Sequence, residues 1–393
     1  MVTTCPRGSS VARTGWSLTD FVHTVFGSLP RVDQQRWADV YLRGLLSTPG
    51  RKTMKRLAGQ ICGEPSAGQA LQQFITVSPW DWHQPRSALA RLAARRLPDH
   101  AWVAGTFVSE KKGSRSVGVR RRFVPALGAT VNCQVGVGLF MVSRTEAIPV
   151  DWDLVLDGGW REDAALRRRA RIPDTVTGGS AWKRALEMAA DAGSAPWAHR
   201  TPLVADLTVT GDLAEVPGGP AFGSGEWLVR VRPDHPVMEH GPGTAPSLPA
   251  APSTAEHVIE AGGTRFRVAL SHFDAGSGPV RVRSALVRLP GRRAATLGGH
   301  PPVHRLFALD SPGEPGEAQY WLSTLRRRNV GYVFSLIRRQ QLVADTLRAL
   351  EEGYGLTDFE GRSYPGWHHH MTMVSAAYAY RRLTSGPADS LSA

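Results

Sequence analysis

The sequence predicts an α/β fold in which a helical segment precedes a core of strands and helices, and a β-rich stretch interrupts that core. Three observations carry the prediction. Apolar residues recur at helical spacing over residues 17–100. From Ala101 they change to short β-branched or aromatic runs bounded by glycine, proline or charge. Long amphipathic stretches return near the C-terminal end. At 393 residues, 42% of them hydrophobic, the chain is long enough for two or three domains with a substantial core.

Taken in order, Ser17 is the expected N-cap of "SLTDFVHTVFGSL", and "DQQRWADVYLRGLLS" places Trp37, Val40, Tyr41 and Leu45 on one face. "RKTMKRLAGQICG" and "SAGQALQQFITVS" follow, divided by the Gly63–Pro65 break. Residues 1–100 therefore read as an N-terminal helical domain, a common form for a DNA-binding module; the helical spacing alone says only that it is a small bundle. "AWVAGTFV", "RRRFVPAL", "CQVGVGLFMVS" and "IPVDWDLVL" read as strands, "WREDAALRRRARI" and "SAWKRALEMAADAG" as helices, and "TPLVADLTV" as a buried strand carrying Asp206. These make 101–212 the first part of the α/β core. Residues 213–325 contain short strands around the Pro- and Ser-rich loop 241–255 and read as the β-rich insertion. "GYVFSLIRRQQLVADTLRALEEGYG" and "PGWHHHMTMVSAAYAYRRL" are the helices of 326–385, and 386–393 is a tail.

Charge narrows the class of partner. The net charge is +13, and the excess is segregated: Arg230 and Arg232 face seven acids between Leu207 and Glu260, whereas arginines cluster at 120–122, 167–171, 326–328 and 338–339. A segregated positive charge fits a polyanion better than a uniform one, although a basic protein with only five lysines also fits an arginine-rich composition. No stretch approaches the roughly 20 uninterrupted apolar residues of a membrane span, so no membrane association is expected. The N-terminus carries no apolar run suited to a signal peptide. Cys5, Cys62 and Cys133 are too few and scattered for a disulfide framework, as expected of a cytoplasmic protein.

Several segments, in order and at compatible spacings, resemble the insertion-sequence transposases of the DDE superfamily, whose nuclease domain is RNase H-like. They are "RWADVYLRGLLS", "ALQQFITVSPWD", "SVGVRRRFVPALGATVNCQVGV", "VDWDLVL", "WREDAALRRRARIP", "VADLTVTGD" and "YGLTDFEGRSYPGWHHHMTMVSAAYAY". The resemblance implies two aspartates and a glutamate holding two metal ions, one activating water or a 3′-hydroxyl and the other stabilising the leaving oxygen. It places Asp206 at the second aspartate. The first is expected a few residues ahead of "KKG", where Gly105 and Thr106 stand. The glutamate position falls on Ala344; Asp345 is adjacent but turned by about 100° around the helix, and Glu351 lies about 10 Å along it.

Other constellations are weaker. His368, His369 and His370 are consecutive and fan apart around a helix, which is poor geometry for zinc; the resemblance suits them to packing or to a basic terminus near phosphates. Ser180, Asp206 and His235 lack the turn of a nucleophile elbow, Gly136 and Gly138 lie in a strand, and Asp212 suits a turn cap. The expectation is a transposase-like DNA-binding protein without strand-transfer activity. Its nucleic-acid-binding residues would be Lys111, Lys112, Arg115, Arg120, Arg121, Arg122, Arg338, Arg339, Arg362 and His368. No cofactor is expected, Mg2+ or Mn2+ entering only if the acidic site is intact, and homodimerisation is left open. The alternative is a fold turned to a small-molecule ligand or substrate in the emptied cleft around Asp206, which an enclosed apolar cavity there would favour. A third reading is a product with no selected role.

Overall fold

The structure, a computed structural model, describes residues 16–62, 66–195, 198, 201–206, 225–240, 252–268, 280–290, 302–310 and 318–384. Asp212 and most of the loop 241–255 lie outside the described residues, as does the tail 386–393. Five helices open the described chain: α1 (Leu18–Phe26), α2 (Val32–Ser47), α3 (Met54–Ile61), α4 (Ala67–Thr76) and α5 (His83–Arg96). The Ser17 hydroxyl accepts from the Asp20 amide and caps α1 as expected. On α2, Tyr41 and Leu45 are buried with Ala38 and Leu42, while Trp37 and Val40 are half-buried beside them.

The core follows as β1 (Ala101–Glu110), β2 (Arg120–Val124), β3 (Ala129–Val142), β4 (Ala147–Leu154), α6 (Gly159–Glu162), α7 (Ala164–Ala170), α8 (Ala181–Gly193) and β5 (Leu203–Ala205). Then come β6 (Trp227–Val231), β7 (Pro236–Glu239), β8 (Ser253–Thr254), α9 (Ala255–Gly262), β9 (Thr264–Val268), β10 (Val280–Arg288), β11 (His304–Asp310) and β12 (Ala318–Ser323). Two long helices close it, α10 (Val330–Tyr354) and α11 (Tyr364–Thr384).

The strand order β4-β3-β1-β5-β6 places three antiparallel strands first, then two parallel to β1. That is the RNase H-like order. The described strands of 213–325 do not form a separate sheet. β12 pairs antiparallel with β6, and β11, β10, β7 and β9 extend the same sheet outward.

The N-terminal helices share their core with the last helix. α11 packs against α2, α4, α5 and β4, and fifteen of its residues are buried. A helix buried on nearly every side must satisfy its polar side chains internally. His370 Nδ1 meets the Tyr41 hydroxyl at 2.9 Å and its Nε2 meets the Gly355 carbonyl at 2.9 Å. His369 faces the carbonyls of Ile75 and Trp80, each at 2.9 Å, and stacks on the Trp80 ring at 3.9 Å.

Candidate functional site

The parallel register Ala104↔Ala205 puts Gly105 and Asp206 side by side, one residue beyond the last paired positions of β1 and β5. α10 lies across β1. Gly105 and Asp206 are therefore neighbours, whereas the third sequence-predicted position, Ala344, is exposed on α10, and the surroundings of Gly105 are unlike a metal site. A Cβ on Gly105 would stand 2.7 Å from Val343 Cγ1 and 3.4 Å from Leu347 Cδ1. The volume that an acidic side chain would fill belongs to the helix. Neighbouring glycines explain the close approach. Gly105 pairs with Gly138, and the absent Cβ of Gly138 leaves room for Trp152 and Phe140.

Asp206 forms an ion pair with Arg230 on the adjacent strand, Nη1 to Oδ2 at 2.7 Å, with the carboxylate side chain only 13% exposed. The arginine supplies the positive charge that a divalent ion would otherwise bring to that carboxylate. On α10, Ala344 and Asp345 are both exposed. Asp345 accepts from Arg348 and Gln341 on its own helix, at the exposed face of α10. Among the described residues, the donor set at this place does not fit two divalent cations: one paired carboxylate, a glycine and a valine offer too few oxygens. Among the described residues, no group of three or more His, Cys, Asp or Glu could hold a metal ion.

The proposed phosphate-binding residues divide sharply. Lys112, Arg115, Arg121 and Arg362 are exposed. Arg120 and Arg122 are bound to Asp157, each at 3.2 Å, and Arg338 is half-buried. Three expectations need correction. Lys111 donates from Nζ to the carbonyls of Thr357 and Phe359, at 3.0 and 2.9 Å; burial pushes its ammonium down to about 8. Arg339 is buried and reaches Asp99 at 3.4 Å. His368 is buried against Trp82, their rings stacked 4.6 Å apart, and burial holds it neutral well below the ordinary histidine range. These three groups are held inside the fold instead of facing a phosphate backbone. The segment "YGLTDFEGRS" is likewise tied into the fold. Its Asp358 accepts from the Lys52 amide and its Glu360 pairs with Arg51, fastening the α10–α11 turn to the N-terminal helices.

Sequence reading missed Arg86, a buried cation with five polar contacts among the described residues. Its guanidinium donates to Thr372 Oγ1, Asp151 Oδ1, the Trp152 carbonyl and the His368 carbonyl, and it meets His368 Nδ1 at 3.2 Å. The available signal was positional: Arg86 precedes Ala90 and Ala93 on the apolar face of α5. Asp153 was missed too. Burial raises its carboxyl, opposed by Arg184 at 3.2 Å and a 3.0 Å hydrogen bond from the Tyr364 hydroxyl. The alternation of Asp151, Trp152 and Asp153 along β4 was its signal.

The strand order and the packing of α10 on β1 define the class, an RNase H-like fold. The sequence matches the family described as DDE superfamily endonuclease over residues 24–259, more than half of the chain. The chain belongs to that family. The matched span includes Gly105 and Asp206 and ends ahead of α10. A solved structure of piggyBac transposase, in a synaptic complex with hairpin DNA, is similar at 9% identity with a TM-score of 0.40, covering 96% of this chain and 68% of that chain. No curated protein matches. Among the described residues, no helix is long and apolar enough to cross a membrane.

Proposed function

We propose that this chain is a transposase-like protein that binds duplex DNA and neither cleaves nor joins it. One observation carries the second half of that reading. Asp206, the one acid at the three expected positions, is bonded to Arg230 at 2.7 Å, while Val343 occupies the space above Gly105. A two-metal displacement needs several carboxylates converging on the scissile phosphate, and neither Mg2+ nor Mn2+ is assigned to this place.

DNA binding is supported by the net charge of +13 and by the exposed Lys112, Arg115, Arg121 and Arg362. In this reading residues 1–100 form the DNA-binding helical module and 101–212 with 326–385 the nuclease-type core. The strands of 213–325 widen the sheet beside that core. Fluorescence anisotropy against salt, with a supercoiled-plasmid nicking assay in Mg2+ or Mn2+, tests the proposal. The expected result is binding whose log–log salt slope steepens by about −0.9 for every phosphate neutralised, with no nicking. Absence of binding at low salt sinks the first half. Nicking that disappears in Asp206→Asn sinks the second.

A further inference from the structure

A cavity of about 570 Å3 lies between β4, α5, α8, the 173–177 segment and the start of α11. Neither Gly105 nor Asp206 lines it, and its size falls within the range of small-molecule pockets. The apolar part of its wall comes from Trp82, Trp152, Val176 and Met188. Its charged groups are largely spent on one another. Arg86 holds Asp151 at 2.6 Å, and Arg184 holds Asp153 at 3.2 Å and Glu187 at 2.6 Å.

Three of the residues lining it each carry a buried donor with no hydrogen-bond partner: Trp82 Nε1, Arg184 Nε and His368 Nε2. The His368 proton is placed by its other nitrogen. Nδ1 faces the Arg86 guanidinium at 3.2 Å and can only accept there, which leaves the hydrogen on Nε2. Nε2 is 3.7 Å from Asp153 Oδ1, beyond hydrogen-bond reach, in a side chain 3% exposed. The ring cannot easily turn away, since Trp82 stacks on one face and Tyr364 meets it edge-on at 4.3 Å. Buried donors in folded proteins are ordinarily paired, so a wall carrying three unpaired ones calls for acceptor atoms.

Charge decides what kind of acceptor. Asp151, Asp153, Glu187 and Asp191 line the cavity against two arginines, so an added carboxylate or phosphate meets an excess of negative charge. A cation would find acids, but it would leave three N–H donors without an acceptor. We propose that this cavity binds a neutral, flat heterocycle bearing carbonyl or ring-nitrogen acceptors, to which His368, Arg184 and Trp82 donate while Trp152, Val176 and Met188 cover its apolar faces. The proposal does not depend on DNA binding.

Ligand-observed NMR on the full chain tests it with uridine, guanosine and nicotinamide, each paired with an anionic counterpart (UMP, GMP and nicotinate). At least one neutral compound should bind, with its anionic counterpart roughly tenfold weaker or more. Trp82→Phe keeps the ring and removes the donor, and should weaken binding about fivefold. Thr175→Trp, at an exposed position on the rim, should abolish binding while the melting temperature is kept. Three outcomes overturn the proposal: no neutral compound binding up to roughly 10 mM, anions binding more tightly, or affinity unchanged by both substitutions.

Discussion

Gly105 shows how one residue governs the space at the position where the sequence resemblance expects an acid. Restoring the acid with Gly105→Asp would bring a Cβ to 2.7 Å from Val343 Cγ1 and bury a carboxylate under α10. Overpacking and desolvation together should cost about 2–4 kcal/mol in urea denaturation. Val343→Ala in the same chain should recover part of that loss. An unchanged midpoint for Gly105→Asp would show that α10 does not press on β1 as described. His370 makes a second prediction at this scale. Burial lowers it to about 4, below its unfolded value of about 6.5. The unfolded chain therefore binds the proton first as pH falls. The stability that this neutral histidine contributes is complete above about pH 6.5 and is lost between there and about pH 4, at roughly 1.4 kcal/mol per pH unit. His370→Gln should reduce the slope of that part of the stability–pH curve by about that amount, the buried His368 and His369 keeping slopes of their own; an unchanged slope would assign the loss to other groups.

Elements show which cations a polyanion can meet. The turn after β1 carries Lys111 and Lys112 in sequence, yet one is pinned to the α10–α11 turn and the other is exposed. Lys111→Ala strips two carbonyls of their partner and should destabilise the chain by about 1–3 kcal/mol, with the salt slope of DNA binding unchanged. Lys112→Ala with Arg121→Ala should do the reverse. The slope should fall by about 0.9 for every phosphate no longer neutralised, while the melting temperature holds. The same slope in wild type and in both variants would place the DNA surface elsewhere.

Across the whole molecule, the order of strands and helices was legible because hydrophobic period and turn residues mark them locally. Ser17 before α1 and the β-branched runs of β1 and β3 are examples. The single continuous sheet was not legible. β6 pairs with β5 and β12 across segments distant in sequence, and no local pattern records that choice. The fates of Lys111, Arg339 and His368 were hidden for a related reason: a cation or imidazole reads the same whether its partner is a buried carbonyl or a phosphate. Asp206 was visible as a residue, but Arg230 beside it became apparent only through the register of β5 and β6.

Melting of the intact protein with Mn2+ and with chelator tests most directly whether this arrangement of Asp206, Arg230, Gly105 and Val343 has lost its metal. A single carboxylate would hold a hydrated divalent ion with a dissociation constant on the order of tens of millimolar. At about 5 mM metal the stabilisation is then at most ~0.2 kcal/mol, about a degree or less in melting temperature. Wild type and Asp206→Asn should each show equal melting temperatures in Mn2+ and in chelator, within that degree. A rise of several degrees with Mn2+ in wild type, absent from Asp206→Asn, would show that other acids complete the site and would contradict the account.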